Sequence, residues 1–295
     1  MNRFVVRVSA ALFLIAFIAA GFAPVARPES SVWVVKGPKA VVYLTGSSHV
    51  LRASDHPLPA EFDLAYKNSG NIVFEAPPGD METPEYLQKL MRVAALTDGT
   101  TLKNHLTPEV YAKAAAFCKE RGYPFDQYQL FRPWMLSMML TLQEMARIGV
   151  DPAYGVDQHF YQKALRDGKS SGGLETADDQ IAFLAMMDSS MGNAQVLETL
   201  DDLRDLDAKV EGILKAWRMG DEAGIEAFSL RELKNYPQLY FALIVDRNRK
   251  WISSIEKYIR GNQNTMVIVG VAHLAGKDSV VDLLRNRGYR VDKLK

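Results

Sequence analysis

The sequence contains a single cysteine, and this scarcity excludes several kinds of site. With Cys118 alone among 295 residues, neither an intramolecular disulfide nor a cysteine-ligated zinc site can form. Cys118 lies in an alanine-rich segment with helical character, where a small core residue is a better interpretation than a nucleophile. Stability must therefore come from packing, and a hydrophobic content of 48% over this length allows a sizeable core.

The sequence also lacks an excess of charge of either sign. Its 35 basic and 35 acidic residues give a formal net charge of zero. Without a strong positive field, the composition argues against nucleic acid or an acidic membrane surface as a partner. We therefore do not expect a basic protein that binds nucleic acid.

Only one long apolar run occurs, and it lies at the amino terminus. Arg3 and Arg7 precede an uncharged stretch from Val8 to Val25, and small residues near its end suit a signal peptidase. Residues 1–26 therefore predict a signal peptide or, if the segment is not cleaved, an N-terminal membrane anchor. Both alternatives predict a periplasmic or secreted protein that meets a membrane only through this segment.

Strand and helix signals are unevenly distributed along the rest of the chain. Short apolar runs that predict strands occur at 32–35, 40–44, 71–74, 266–269 and 289–291. Between about 83 and 235, Thr-Pro-Glu start signals and apolar stripes at helical spacing predict a large, mostly helical region. The pattern predicts an α/β (α+β) fold in one domain, 30–295. Its central mixed sheet is expected from the N- and C-terminal strands, at about 30–80 and 239–295.

A histidine or a glutamate follows three of the predicted strands. His49 and His273 each close a Gly-x-x-His segment, and Glu75 comes directly after the strand at 71–74. Residues at the carboxyl ends of strands in open α/β sheets line a common crevice, so we expect these three side chains to converge. Gly46 and Gly270 are expected to allow turns with positive φ and close approach of a substrate.

Two imidazoles and a carboxylate support two kinds of chemistry. They can hold a divalent ion such as Mn²⁺, Co²⁺ or Zn²⁺ as a facial site, with His49, Glu75 and His273 as ligands. They can equally serve as base, acid and orienting group without any metal. The residue types are compatible with both alternatives.

Seven short motifs occur in an order that resembles the TraB/GumN family. They are YLTGSSH at 43–49, IVFE at 72–75, RPW at 132–134, GVD at 155–157, LETADDQ at 174–180, DRN at 246–248 and VGVAHLAG at 269–276. The resemblance covers residues 30 to 295. It implies that His49, Glu75 and His273 belong to the active site, with Arg247 and Asn248 as neighbours.

The best understood relatives in this family are Tiki-type metal-dependent proteases, with erythromycin esterase-like and ChaN-like haem-binding proteins as more distant kin. Together with the predicted export, the resemblance implies a hydrolase, metal-dependent if it is Tiki-like, that cleaves a peptide or ester bond in a peptide or small-molecule substrate. The alternative is a non-catalytic envelope protein that binds haem, a metal or a glycan, or assists polysaccharide assembly.

The remaining polar residues of the motifs have competing interpretations. Arg247 can bind a substrate carboxylate or stabilise an oxyanion, and Asn248 can donate a hydrogen bond. A helix start with Asn248 near the N-cap explains the same residues. Asp157 and Glu175 are weaker candidates, because turn and capping roles account for them.

Overall fold

A six-stranded mixed sheet organises the computed structural model, which describes residues 30–186 and 192–295. The strands are Val32–Lys36 (β1), Val41–Ser47 (β2), Asn71–Phe74 (β3), Ser170–Gly173 (β4), Thr265–Gly270 (β5) and Val291–Lys293 (β6). They lie in the order β4-β3-β5-β2-β1-β6. Neighbours from β4 to β2 are parallel, whereas β1 is antiparallel to both β2 and β6.

Most of the helices come from the middle of the chain. They are Ala60–Lys67 (α1), Pro78–Met81 (α2), Pro84–Ala94 (α3), Leu102–His105 (α4), Pro108–Arg121 (α5), Pro133–Arg147 (α6), Val156–Asp167 (α7), Ala177–Met186 (α8), Gly192–Asp202 (α9), Leu206–Met219 (α10), Glu222–Ser229 (α11), Pro237–Tyr240 (α12), Asp246–Arg260 (α13) and Val280–Asn286 (α14). The predicted start signals are confirmed, since Thr83 and Thr107 accept hydrogen bonds from Tyr86 N and Val110 N.

The central strand β5 is buried on both faces of the sheet. Along β5, Met266 and Ile268 point into a core shared with the middle helices, while Val267 and Val269 point into a second core beneath α13 and α14. All four side chains are at most 1% exposed. Burial on both sides explains why this strand is apolar without interruption.

The three central parallel strands end at one edge of the sheet. Ser47 at the end of β2 pairs with Gly270 at the end of β5, and Phe74 at the end of β3 pairs with Ile268. Segments that leave these strands therefore start close together. The predicted α/β class, with a mixed sheet and a large helical middle region, is confirmed.

The structure differs from the prediction in two regions. Within 239–295, assigned to the sheet core, strands begin only at Thr265, because Phe241–Val245 is a π-helix that continues into α13. A short apolar run does not distinguish a strand from a buried helix, and Pro237 starts a helix here. The helical region also contains the edge strand β4, whose small residues carry no apolar alternation.

Two observations concern possible contact with a membrane. The predicted signal peptide or anchor at 1–26 lies outside the described residues. In the part of the chain that the structure describes, no helix is both long and apolar enough to cross a bilayer.

Trp217 in α10 ties the helical region to the strand that leads to His49. Its indole Nε1 donates to Gly46 O at 2.7 Å, and its own carbonyl accepts from Ser31 Oγ at 2.6 Å. We expect Trp217→Phe to lower the free energy of unfolding by about 2–4 kcal/mol, because it removes a buried hydrogen bond and leaves a cavity. Urea denaturation measures this change.

Tyr240→Phe is the matched control for this substitution. It removes one exposed hydrogen bond to the Lys277 carbonyl, at 3.3 Å. The expected change in unfolding free energy is within about 0.5 kcal/mol. Equal losses in the two variants would contradict the anchoring role of Trp217.

Candidate functional site

The three strand-end residues predicted from the sequence lie together. Glu75 follows β3 directly, His49 follows β2 by two residues, and His273 ends the 3₁₀ turn after β5. Glu75 Oε1 is 3.8 Å from His49 Nε2 and also 3.8 Å from His273 Nε2. The glutamate therefore stands between the two imidazoles, and we refer to these three side chains as the His-Glu-His cluster.

Gly270 provides the space for the cluster. Its backbone N–H donates to Glu75 Oε1 at 2.6 Å. A Cβ atom on Gly270 would lie 2.8 Å from His49 Nε2 and 3.1 Å from Glu75 Oε1. The expected positive φ is wrong for Gly270, whose φ is −48°, and Gly46 is not among the positive-φ residues. The glycine is needed at position 270 because the cluster's own side chains approach the backbone there.

Arg247 connects the cluster to a second buried carboxylate. One of its terminal nitrogens, Nη2, lies 2.5 Å from Glu75 Oε2 and 2.5 Å from Glu175 Oε1, while Nε donates to Glu175 Oε2 at 3.1 Å. The guanidinium also lies over the rings of Phe183 and Trp251, at 5.0 and 4.8 Å from their centroids. Charge pairing and ring contacts together fix its position.

Asn248 determines which nitrogen of His273 carries the proton. The amide Nδ2 of Asn248 donates to Asp278 O at 2.9 Å, so its Oδ1 faces His273 Nδ1 at 2.7 Å. Nδ1 of His273 must therefore hold the hydrogen and donate it. The Nε2 lone pair is left to face Glu75 and Arg247, whose Nη1 lies 3.2 Å away.

The expected N-cap role for Asn248 is wrong. Asn248 is fully buried inside α13, which continues from the preceding π-helix without a cap. One extra residue per turn in a π-helix changes which side chains face a given direction, and such turns occur often at functional sites. Here Arg247 and Asn248 both face the cluster.

Asp157 holds His49 from the opposite side. Its Oδ2 lies 2.8 Å from His49 Nδ1 and also accepts a short hydrogen bond from Ser47 Oγ. Asp157 is placed by its helix start, because Val156 N donates to Ser48 O at 3.1 Å. Gly155 allows this approach, since a Cβ atom there would come within 2.2 Å of His49 O.

The two histidines differ in protonation because their surroundings differ. The Asp157 carboxylate raises the pKa of His49 to about 9, so this ring is charged at neutral pH. Burial lowers the pKa of His273 to about 3, so that ring is neutral. Burial also opposes the charge on Glu75, yet the histidines and Arg247 around it lower its pKa to about 2.

The structure brings the five predicted site residues together and adds the carboxylates of Asp157 and Glu175. The five are His49, Glu75, Arg247, Asn248 and His273. The sequence favours turn and capping roles for Asp157 and Glu175. In the structure, Asp157 contacts His49 and Glu175 pairs with Arg247. The ordered motifs contained both residues, but sequence spacing does not show which side chain a carboxylate will meet. Trp251 also joins the site, since its Nε1 donates to Glu175 Oε2 at 3.1 Å, and its apolar neighbours along the chain gave no sign of this contact.

The cluster opens into a pocket of about 560 Å³. Its lining residues are His49, Glu75, Ala76, Pro78, Met81, Glu82, Pro152, Ala153, Asp157, Gln158 and Gln180. His49 is the most accessible member of the cluster, with 58% of its side chain exposed against 11% for Glu75 and 6% for His273. A substrate that enters the pocket therefore meets His49 first.

The donor atoms suit a divalent ion in type and in the two His–Glu separations. Two ligands at about 2.1 Å from one ion can lie up to about 4.2 Å apart, and both His–Glu separations are 3.8 Å. Among the described residues, however, no group of three or more ligating side chains is arranged to hold a metal. An ion would have to replace the contact between Arg247 and His273.

The fold and the cluster define an α/β protein with charged and imidazole groups gathered at the carboxyl edge of a mixed sheet. The chain belongs to the TraB/PrgY/gumN family, which its residues 31–293 match. The predicted family membership is therefore confirmed. No solved structure matches the chain.

Several proteins resemble most of the chain at low identity. Uncharacterized protein YbaP of Escherichia coli (strain K12) is 24% identical, over 82% of this chain and 87% of that protein. Metalloprotease TIKI2 of Danio rerio is 24% identical, over 91% of this chain and 62% of the fish protein. Metalloprotease TIKI homolog of Nematostella vectensis is 24% identical, over 90% of this chain and 67% of that protein.

The contact between Asp157 and His49 predicts a measurable pKa change. A neighbouring anion stabilises the protonated ring, so replacing it with a neutral amide must lower the pKa. In Asp157→Asn we expect the pKa of His49 to fall from about 9 towards its ordinary 6.5. An NMR titration of the His49 ring protons in chelator-treated protein measures the shift.

Asp167→Asn is the control for this titration. Asp167 accepts a hydrogen bond from Tyr66 at 2.7 Å and does not contact the cluster. We expect the pKa of His49 to be unchanged in this variant. If Asp157→Asn also left the pKa unchanged, the assigned contact would be contradicted.

Proposed function

We propose that the protein is a hydrolase that cleaves a peptide or ester bond at the His-Glu-His cluster. The observation that carries this proposal is the position of Glu75 Oε1, 3.8 Å from both imidazole Nε2 atoms, in a cluster that opens into a pocket. Similarity to proteins named metalloproteases supports a hydrolytic reaction.

Each residue of the cluster contributes a different capacity. Ionised Glu75 can accept a proton from the attacking water, because its charge is retained at neutral pH. Charged His49 can donate from Nε2 to the carbonyl oxygen or to the leaving group. Arg247 keeps its charge and stabilises negative charge that develops near Glu75. Neutral His273 fills the space beside Glu75, and its Nε2 lone pair faces Glu75 and Arg247.

A divalent ion is the second form of this proposal. His49, Glu75 and His273 would hold it, in line with the Tiki-like relatives. When bound, the ion supplies a Lewis acid that polarises the substrate carbonyl. Asn248 supports this form, because it keeps the hydrogen of His273 on Nδ1, so that the unprotonated Nε2 could act as a ligand once its contact with Arg247 is replaced.

The cellular location belongs to the proposal as well. We propose that residues 1–26 direct export, which places the reaction in the periplasm or outside the cell, with or without an N-terminal anchor. The substrate is then a peptide or an ester of that compartment.

Turnover of peptide and ester libraries tests the proposed function. The purified protein is assayed with a chelator and then with Mn²⁺, Co²⁺ or Zn²⁺. We expect hydrolysis, and we expect His273→Ala to lower kcat/KM by at least about 100-fold, because Glu75 loses the neighbour that positions it or, in the metal-dependent form, a ligand is lost. Dependence on added ion distinguishes the two forms of the proposal.

His105→Ala is the matched control. His105 lies in α4 and contacts Thr100 Oγ1 through Nε2 at 2.8 Å, outside the cluster. We expect unchanged turnover in this variant. Absence of hydrolysis by the unmodified protein, or full activity of folded His273→Ala, would contradict the proposed function.

Gly270→Ala tests the geometry of the cluster without removing any of its polar groups. The added methyl would lie 2.8 Å from His49 Nε2 and must displace it. We expect turnover to fall by about 100-fold or more, because small misplacements at a reacting centre are costly. Steady-state kinetics measure the loss, and circular dichroism checks that the fold is retained.

Gly172→Ala is the control within the same sheet. A Cβ atom on Gly172 in β4 would meet nothing within 4 Å. We expect its kinetics to match those of the unmodified protein. Equal activity of Gly270→Ala and Gly172→Ala would show that the cluster does not require the space at residue 270.

A further inference from the structure

Nearly half of the pocket lining carries no polar side chain. Ala76, Pro78 and Met81 come from the segment that follows Glu75, whereas Pro152 and Ala153 come from the turn before α7. Both segments are close in sequence to residues that form or hold the cluster. The position of this apolar wall is therefore fixed relative to Glu75 and His49.

The backbone of the wall offers few hydrogen bonds to a substrate. Pro78 and Pro152 have no N–H group. The N–H of Ala153 already donates to Asp151 Oδ1 at 2.7 Å, and the N–H of Gly155 donates to Pro152 O at 2.9 Å. These prolines and engaged donors disfavour an extended peptide that adds a strand here, because that mode of binding requires free backbone donors and acceptors.

The polar side chains that complete the lining are engaged within the protein. Gln158 Nε2 donates to Glu82 at 3.2 Å, and Gln180 donates to Glu175. Asp157 accepts from His49 and Ser47. The surface that is left for a ligand next to the cluster is therefore mainly hydrocarbon.

We propose that this wall is a subsite for an apolar group that directly adjoins the hydrolysed carbonyl, of the size of a leucine, methionine or phenylalanine side chain. The inference rests on the proposed hydrolase function and specifies its substrate. A volume of about 560 Å³ accommodates such a group together with its flanking main chain. Met81 suits the task because its flexible thioether adapts to different apolar shapes.

Ala153→Trp tests the subsite by filling it. Ala153 is exposed, so the larger side chain can be added without repacking the core. The substrates are matched peptides that differ only in the residue beside the cleaved bond, and esters with the corresponding acyl groups. For the unmodified protein we expect kcat/KM to be about 10- to 100-fold higher with leucine or phenylalanine than with aspartate.

Two further variants complete the set. Met81→Gln keeps the length of the side chain but places an amide in the wall. Ala208→Trp adds the same large side chain at an exposed position of α10, outside the pocket lining. We expect Ala153→Trp and Met81→Gln to reduce the preference for apolar groups by at least about 5-fold. Ala208→Trp is expected to leave it unchanged.

Calorimetric binding of the same peptides separates the subsite from the proposed reaction. If no substrate is turned over but leucine peptides bind more tightly than aspartate peptides, and Ala153→Trp removes the difference, the subsite is supported and the hydrolase function fails. If substrates are turned over without preference, or with a preference that neither variant in the wall alters, the subsite is overturned and the hydrolase function stands. Comparison of peptides with esters shows whether the apolar group is a side chain or an acyl chain.

Discussion

The site depends above all on one buried guanidinium. Arg247 is 7% exposed and lies between Glu75 and Glu175, which share its charge. Two carboxylates in so little water would repel each other and would bind protons if no cation stood between them. Removing one partner from a buried charged pair costs about 3–5 kcal/mol, because the remaining charge is left uncompensated. The ionised state of Glu75 therefore depends on the histidines and Arg247 around it and on the Gly270 N–H, and Arg247 is the one of these groups that also compensates Glu175.

The same constraint gives the two imidazoles different properties. His273 is 5% exposed and lies against Arg247, so burial and the neighbouring guanidinium disfavour a positive charge there. His49 lies at the pocket beside Asp157, where a positive charge is stabilised. Titratable groups whose surroundings drive their pKa values apart can act as acid and base in one site. His49 and His273 therefore differ in protonation state and can take different chemical roles.

The residues at the ends of the strands could be predicted from the sequence, but the residues that orient their side chains could not. His49, Glu75 and His273 follow apolar strands, and parallel strands must bring such residues to one edge. Asp157 and Glu175 start from helices and loops of the middle region, so their partners depend on how helices pack on the sheet. The helical form of 241–245 escaped prediction for a related reason, since an apolar run shows that a segment is buried and not how it is folded.

The reacting groups and the groups that orient them lie on different segments, which explains how members of one family can differ in the reaction they support. The sheet edge supplies the reacting groups, whereas the segments around 76–81, 152–157 and 175–183 supply orientation and the pocket wall. Relatives at 24% identity can share the first and differ in the second. The Nε2 atom of His273 has one lone pair, which cannot serve a guanidinium and a divalent ion at once. In the proposed hydrolase, the distance between Arg247 and His273 therefore decides between the form that uses acid–base catalysis alone and the form that uses a divalent ion.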